Sequence, residues 1–363
     1  MTGSLRRRKL SYAFQQFHHR FTFFRVKQFS NVSRLYLPRN QLENLDDRAF
    51  VGIGHTLEHL DLEHNFLTSI PKAVTHLKKL KFLYMSSNRI PSVDDSAFDS
   101  FAPSLKAISL SGNQLTSIPS GALRPCRKLL HLNLGYNQIT DLNETNFEVW
   151  AGHLDTLVLR NNKIVHIPPH TFRNTPRLRE LSLSFNKIVD TIRTGAFRNL
   201  TVLMNLVLSN NAIAVLQSES FANLPNLLKL DLQNNAIKEF SLSAFRNVSN
   251  PVVSMSLNVS RNQISFLSHQ KTSDLSVHIG TLDMSYNSLM YAPVQFFSAL
   301  ANSLRVIHLS HNSISELESS GFVDLKHLAS LSLDRNQIAN VATRQCFRRR
   351  WPTKSAVLRK NAV

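Results

Sequence analysis

The sequence predicts an α/β repeat solenoid, a curved right-handed coil with a parallel β-sheet on its concave face and an irregular or short-helical convex face. Three observations predict it. An Asn-centred motif recurs thirteen times at intervals of 23 to 27 residues, each Asn is preceded by apolar residues that alternate with period two, and most are followed about ten residues later by Phe. Self-similarity at a period in this range is the mark of stacked supersecondary units, none of which can bury its apolar face alone.

The motif reads L-x-L-x-x-N-x-L/I, with Ile, Val or Met replacing some leucines. Its Asn stands at Asn40, Asn65, Asn88, Asn113, Asn137, Asn162, Asn186, Asn211, Asn235, Asn262, Asn287, Asn312 and Asn336. In the L-x-L part, side chains alternate across a strand, so both leucines face the core and the residue between them faces out. Strands are therefore expected over 35–37, 60–62, 83–85 and the equivalent positions of later repeats. The Asn falls where the strand turns away from the sheet. Its amide both donates and accepts, so it can satisfy backbone groups that the turn leaves unpaired, and a stacked ladder of Asn side chains follows.

The aromatics after the motif are Phe50, Phe98, Phe147, Phe172, Phe197, Phe221, Phe245, Phe297 and Phe322, expected to stack as a second spine on the convex side. Val74 and Leu123 take this place in two repeats, and the repeat of Asn262 has no clear equivalent over 265–274. Together with the Asn250-Pro251 insertion, this makes 250–274 the least regular stretch.

A chain of 363 residues exceeds the usual size of one compact core, and growth by repetition resolves the excess. The net charge of +18 suggests nucleic acid until it is located. The two ends, 1–30 and 344–363, hold fourteen of the 42 basic residues and no acid; the rest carries 28 basic residues against 24 acidic ones. No nucleic-acid partner is expected for that body. The basic ends suit anionic lipid or heparan-like polymers, or are flanking material of unnatural origin. Cys126 and Cys346 are too few for a disulfide framework and lack zinc spacing; Cys126 reads as a free thiol and Cys346 as a small core residue in a Phe position.

The organisation expected is a basic and aromatic flank over 1–25, a repeat domain of thirteen repeats over 26–343, and a basic segment over 344–363. That last segment contains the start of a fourteenth repeat at Asn361. Neither end reads as a capping repeat, so a piece of a longer protein is expected. No run of 18 apolar residues is present and the N-terminus lacks the apolar core of a secretory signal, so any membrane attachment is expected from regions missing here.

His55, His59, His64, Asp61 and Glu63 resemble a metal cluster in composition. The register places His59, Asp61 and Glu63 at outward, solvated sheet positions, and no metal is expected. Phosphate-binding glycine loops and nucleophile elbows are missing, so no cofactor, small-molecule substrate or enzymatic activity is expected. The informative row lies between the strand leucines: Tyr36, Asp61, Tyr84, Ser109, Asn133, Val158, Ser182, Val207, Asp231, Asn258, Asp283, His308 and Ser332. Folding demands no particular residue there, and its polar and aromatic mixture suits protein recognition. Its richest part is the patch Arg34, Tyr36, His59, Asp61, Phe82 and Tyr84, since aromatics and Arg most often dominate binding energy. Five Asn-x-Ser/Thr sequons, at Asn31, Asn143, Asn199, Asn247 and Asn258, offer glycosylation sites.

The consensus, the period and the Phe spine, as in Leu105 to Ile118 (LKAISLSGNQLTSI), resemble the typical class of extracellular leucine-rich repeats. Within it the array is most similar to chaoptin-type insect adhesion proteins, with Toll-type and Slit-like ectodomains close behind. The resemblance implies an extracellular or cell-surface glycoprotein whose partner is a protein ligand or a second copy. The rival expectations are a Toll-like receptor ectodomain and an intracellular leucine-rich-repeat scaffold.

Overall fold

Each apolar pair of the motif becomes a three- to five-residue strand in the computed structural model, and the strands stack in parallel. The structure describes residues 31–198, 200–250, 252, 254–268, 277–317, 322, 324–339 and 355–357. The chain divides into two compact units, Met1–Lys163 and Ile164–Val363, each a parallel β-sheet solenoid.

In the first unit the strands are Arg34–Tyr36, His59–Asp61, Phe82–Tyr84, Ala107–Ser109, His131–Asn133 and Thr156–Val158. They pair in chain order with Leu35, Leu60, Leu83, Ile108, Leu132 and Leu157 in register. Those six side chains are buried. The strands begin one residue earlier than the motif predicts. The pairing nevertheless runs on through the second leucine, because the Leu37 N–H donates to the Asp61 carbonyl at 2.8 Å and the Leu62 N–H to the Tyr84 carbonyl at 2.8 Å.

The second unit repeats the pattern over Glu180–Ser182, Asn205–Val207, Lys229–Asp231, Met255–Asn258, Ile279–Asp283, Val306–His308, Ser330–Ser332 and Ser355–Val357. The last of these is the strand that Asn361 predicts; it pairs with Ser330–Ser332. Two further parallel pairs lie beyond the Asn positions, Val189–Ile192 with Ala212–Leu216 and Glu239–Ser241 with Phe266–Ser268. The motif did not predict them, because they fall in the variable part of the repeat. Among the described residues the return segments hold short 3-10 turns and two short helices, Ser120–Leu123 and Val294–Ser298.

The Asn ladder forms as the motif predicts. Asn137 shows the unit of construction: its Nδ2 donates to the carbonyls of Leu110, Leu134 and Gly135 at 2.9, 3.0 and 3.1 Å, and its Oδ1 accepts from the Leu115 N–H at 3.0 Å. Such a side chain therefore ties its own turn to the preceding one; Asn40 alone is described bonding only within its own turn. Nine of the thirteen ladder residues are buried, and Asn40, Asn186, Asn211 and Asn287 are partly so.

The residue before every ladder Asn is left-handed, with φ between 53° and 66° at all thirteen positions, and only Gly112 among them is a glycine. This conformation costs a non-glycine residue roughly 1–2 kcal/mol. Cross-coil bonds hold it in place: the Tyr136 N–H donates to Arg160 O at 2.8 Å, Arg261 to Ser285 at 2.9 Å and Tyr286 to Ser310 at 2.9 Å. A consequence is that the side chains of these residues project from the edge of the sheet.

The Phe spine is buried at all nine positions, as are Val74 and Leu123. In the second unit Phe172, Phe197, Phe221 and Phe245 stack in series with centroid separations of 6.1, 5.6 and 5.5 Å. Phe101, Trp150, Phe240 and Phe296, which the period does not single out, are also buried against spine rings. Cys126 is buried and free, and burial pushes its thiol up to about 12. Cys346, most of the irregular stretch over 265–274 and the terminal flanks apart from 355–357 lie outside the described residues.

Candidate functional site: an aromatic patch on the sheet face

Strand register builds the patch. Arg34, His59 and Phe82 form one column and Tyr36, Asp61 and Tyr84 the next. Adjacent strands stand about 4.8 Å apart, so side chains on neighbouring turns must touch. The His59 ring lies at the centre, 5.0 Å from Tyr36, 5.8 Å from Phe82 and 5.0 Å from Tyr84.

This crowding corrects one expectation. His59 and Asp61 are half-buried among the rings and not freely solvated. Burial, and then the Arg34 guanidinium, hold the His59 imidazole below its ordinary value, against a smaller upward pull from Asp61. Burial also raises the Asp61 carboxyl, opposed by the hydrogen bond it accepts from the Glu63 N–H. The Tyr84 phenol is raised by burial and by Glu63 and Asp61. At neutral pH the patch thus presents a neutral imidazole framed by aromatic faces, with the exposed Arg34 at one corner.

A pH dependence follows from the His59 shift. Because the folded state holds this proton less tightly than the unfolded chain, the stabilisation is fully present above 6.5 and is lost as pH falls through the lower folded value. Asp61, shifted upward, works in the opposite sense: its contribution is present below 3.8 and is lost as pH rises through its folded value. Thermal melts of the chain and of His59→Gln between about pH 7.5 and about pH 5 should show a smaller acid-induced drop in the variant. An equal drop would mean that His59 contributes nothing to it.

The outward row also carries a structural duty. Asp61, Asn133, Asp231, Asn258 and Asp283 each accept a hydrogen bond from the N–H two residues on, at 3.0, 3.0, 3.1, 3.0 and 3.0 Å. Asn or Asp is thus favoured at this position by the turn it caps, contrary to the expectation that folding demands nothing there. Ser109 is buried on the same face, its hydroxyl 2.7 Å from that of Ser86.

A second set of exposed aromatics went unread. Arg89 lies 4.3 Å over Phe66, Arg160 lies 4.8 Å over Tyr136 and also donates to its hydroxyl, and Arg261 lies 4.4 Å over Tyr286, which stacks on His311 at 3.9 Å. Tyr136, Tyr286 and the exposed Phe185 occupy the left-handed position before the ladder Asn. The repeat register could have located them, but not their projection outward, which depends on the left-handed turn.

Of the sequons, Asn31, Asn143 and Asn247 are exposed and Asn258 is half-buried, while Asn199 lies outside the described residues. Asn143 caps a short 3-10 turn through Oδ1, which accepts from the Asn146 N–H at 3.1 Å and from the Thr145 hydroxyl at 2.6 Å. Those bonds leave Nδ2, the atom a glycan takes, unused. The Nδ2 atoms of Asn247 and Asn258 donate to Asn223 and Gln233, each at 3.2 Å. Among the described residues no group of three His, Cys, Asp or Glu is placed to hold a metal ion, and no helix is long and apolar enough to cross a membrane.

Several solved structures are similar to this chain in fold. The Leptospira interrogans leucine-rich-repeat protein LIC12759 is 22% identical, with 92% of this chain and 86% of that one covered at a TM-score of 0.64. A chain of the mouse RP105/MD-1 complex is 23% identical, with 90% and 54% covered at 0.72. The TLR13-ssRNA13 complex is 22% identical, with 90% and 53% covered at 0.66. At such identities the likeness establishes the fold. No curated protein matches the sequence. The leucine rich repeat family matches residues 30–90, 84–139, 152–211, 201–250 and 278–338. With most of its length matched, and the strands, the Asn ladder and the Phe spine in place, the chain belongs to the leucine-rich-repeat family, whose fold serves as a protein-interaction module.

Proposed function

We propose that this module acts in cell-surface adhesion or recognition, binding a protein ligand or a second copy of itself through the sheet-face patch of its first three strands. The observation that carries this reading is the packing of Tyr36, Phe82 and Tyr84 around His59, with Arg34 exposed beside them. Rings already held by their neighbours lose little further freedom when a partner covers them, and excluding water strengthens their contacts. Single Tyr36→Ala and Tyr84→Ala changes should each weaken partner or self-association by about 1–2 kcal/mol. The melting temperature should stay nearly constant, since neither side chain belongs to the core. Sedimentation or a cell-aggregation assay reads the effect. If the double variant associates as the parent does, the patch is not the contact.

Secretion of the parent protein is the second part of the proposal. Expressed behind a signal peptide in insect cells, the chain should carry glycans on at least two of its five sequons, with Asn143 favoured by its unused Nδ2. Loss of mass on glycosidase treatment, smaller in Asn143→Gln, is the expected result. No loss would favour an intracellular scaffold. The receptor alternative draws support from the TLR13 structure, a receptor fold of similar turns in complex with RNA. A cytoplasmic signalling domain in the parent transcript would select it, and a lipid-anchor tail would select adhesion.

A further inference from the structure

The modest charge of the repeat body conceals a strong local segregation. Between Glu63 and Asp94, and again between Asp99 and Asp141, the chain has no acidic residue, while it carries Lys72, Lys78, Lys79, Lys81, Arg89, Lys106, Arg124, Arg127 and Lys128. The acids interrupting this span, Asp94, Asp95 and Asp99, sit in the return segment around Phe98. Five of the cations lie instead on the flank where the chain enters each strand.

Backbone bonds fix that placement. The Lys78 N–H donates to Gly54 O at 3.0 Å, the Lys106 N–H to Lys81 O at 2.8 Å and the Leu130 N–H to Lys106 O at 2.9 Å. Lys79 and Lys128 hold the same register two turns apart, about 10 Å at the usual strand spacing. Lys78, Lys79, Lys106, Arg127 and Lys128 are all exposed. Lys81 is neutralised by Glu58 at 2.7 Å, which borders the flank at one end as Asp155 does at the other. Exposed His76, His131 and His153 lie nearby.

We infer that this flank of the first unit binds a linear sulfated polysaccharide, through Lys78, Lys79, Lys106, Arg127 and Lys128 on three consecutive turns. Five like charges held on a rigid scaffold repel one another, and a polyanion lying across the turns relieves that repulsion and raises its own local concentration. The regular turn spacing presents the charges as a row, matching a polymer with charge at intervals along its length. Single-stranded nucleic acid is less well served: such sites stack bases on aromatic side chains, and the exposed rings along this flank are histidines alone. Lysine, which supplies four of the five cations, meets sulfate as a point charge without needing bidentate geometry.

The test uses the full chain, a heparin dodecasaccharide, the same saccharide desulfated, and a single-stranded RNA oligonucleotide of equal charge, all at one ionic strength. One variant carries Lys79→Gln, Lys106→Gln, Arg127→Gln and Lys128→Gln. Its control, equal in net charge, carries Lys187→Gln, Lys229→Gln, Lys238→Gln and Arg305→Gln, four exposed cations of the second unit. The basic ends are common to both. The flank variant should bind heparin about tenfold more weakly with a shallower salt dependence, and the control should change by less than about threefold. Melting temperatures should match, since all eight side chains are exposed. Equal weakening of both variants, undiminished binding of the desulfated saccharide, or tighter binding of RNA than of heparin would each overturn the assignment.

Discussion

Replacing Phe197 by Ala is expected to destabilise the second unit by about 3–5 kcal/mol, the usual cost of deleting a buried Phe ring. Phe197 is fully buried and sandwiched between Phe172 at 6.1 Å and Phe221 at 5.6 Å, with ring planes within 7° of parallel. Each flanking ring is anchored by its own turn, so neither can collapse into the gap, and the cavity term adds to the lost transfer energy. Chemical unfolding read by circular dichroism gives the value. A loss under about 1 kcal/mol, the size of a typical point-mutation effect, would show that the spine fills space without holding the turns together. Phe185 is the internal control: it is 53% exposed, so Phe185→Ala should change stability by no more than about 0.5 kcal/mol.

Asn137→Ala is the second large expected effect, about 1–3 kcal/mol. The change removes one acceptor and the donor of three contacts at once, leaving the Leu115 N–H and the carbonyls of Leu110 and Leu134 short of partners inside the coil. Alanine cannot replace them and the site is too enclosed for bulk water, so the desolvation cost is not recovered. At Asn40 the described bonds run only to Leu37 and Pro38 of its own turn, and the side chain is half-exposed. Asn40→Ala should therefore cost clearly less. Equal losses at Asn40 and Asn137 in matched urea titrations would remove the cross-turn bonds as the source of the effect.

Much of the architecture is legible residue by residue because it rests on periodicity. Leu60 and Leu62 alternate with His59 and Asp61, and alternation alone assigns faces on a strand. Asn65 is recognisable because the same amide recurs wherever a turn must be satisfied from within. The patch is legible for the same reason: once the repeats are aligned, Arg34, His59 and Phe82 must share one column. What alignment could not convey is how those side chains meet. The approach of three rings to His59, and the resulting drop in its proton affinity, depend on rotamers and burial that no spacing encodes.

By itself, then, the sequence determined the repeat, the inward leucines, the Asn ladder, the Phe spine and the membership of the outward row, all of which follow from local alternation and a constant period. Only the tertiary structure decided that the residue before each ladder Asn is left-handed, because a backbone bond to the next turn holds it there at eleven of the thirteen positions irrespective of side chain. The projection of Tyr136 and Tyr286 follows from that bond. The structure likewise decided that Asp61 and Asn133 cap turns through the N–H two residues on, and that Lys79, Lys106 and Lys128 gather on one flank. The left-handed turns and the cationic flank relate residues one or two repeats apart in the chain, and stacking the turns at strand spacing is what turns such separations into contacts.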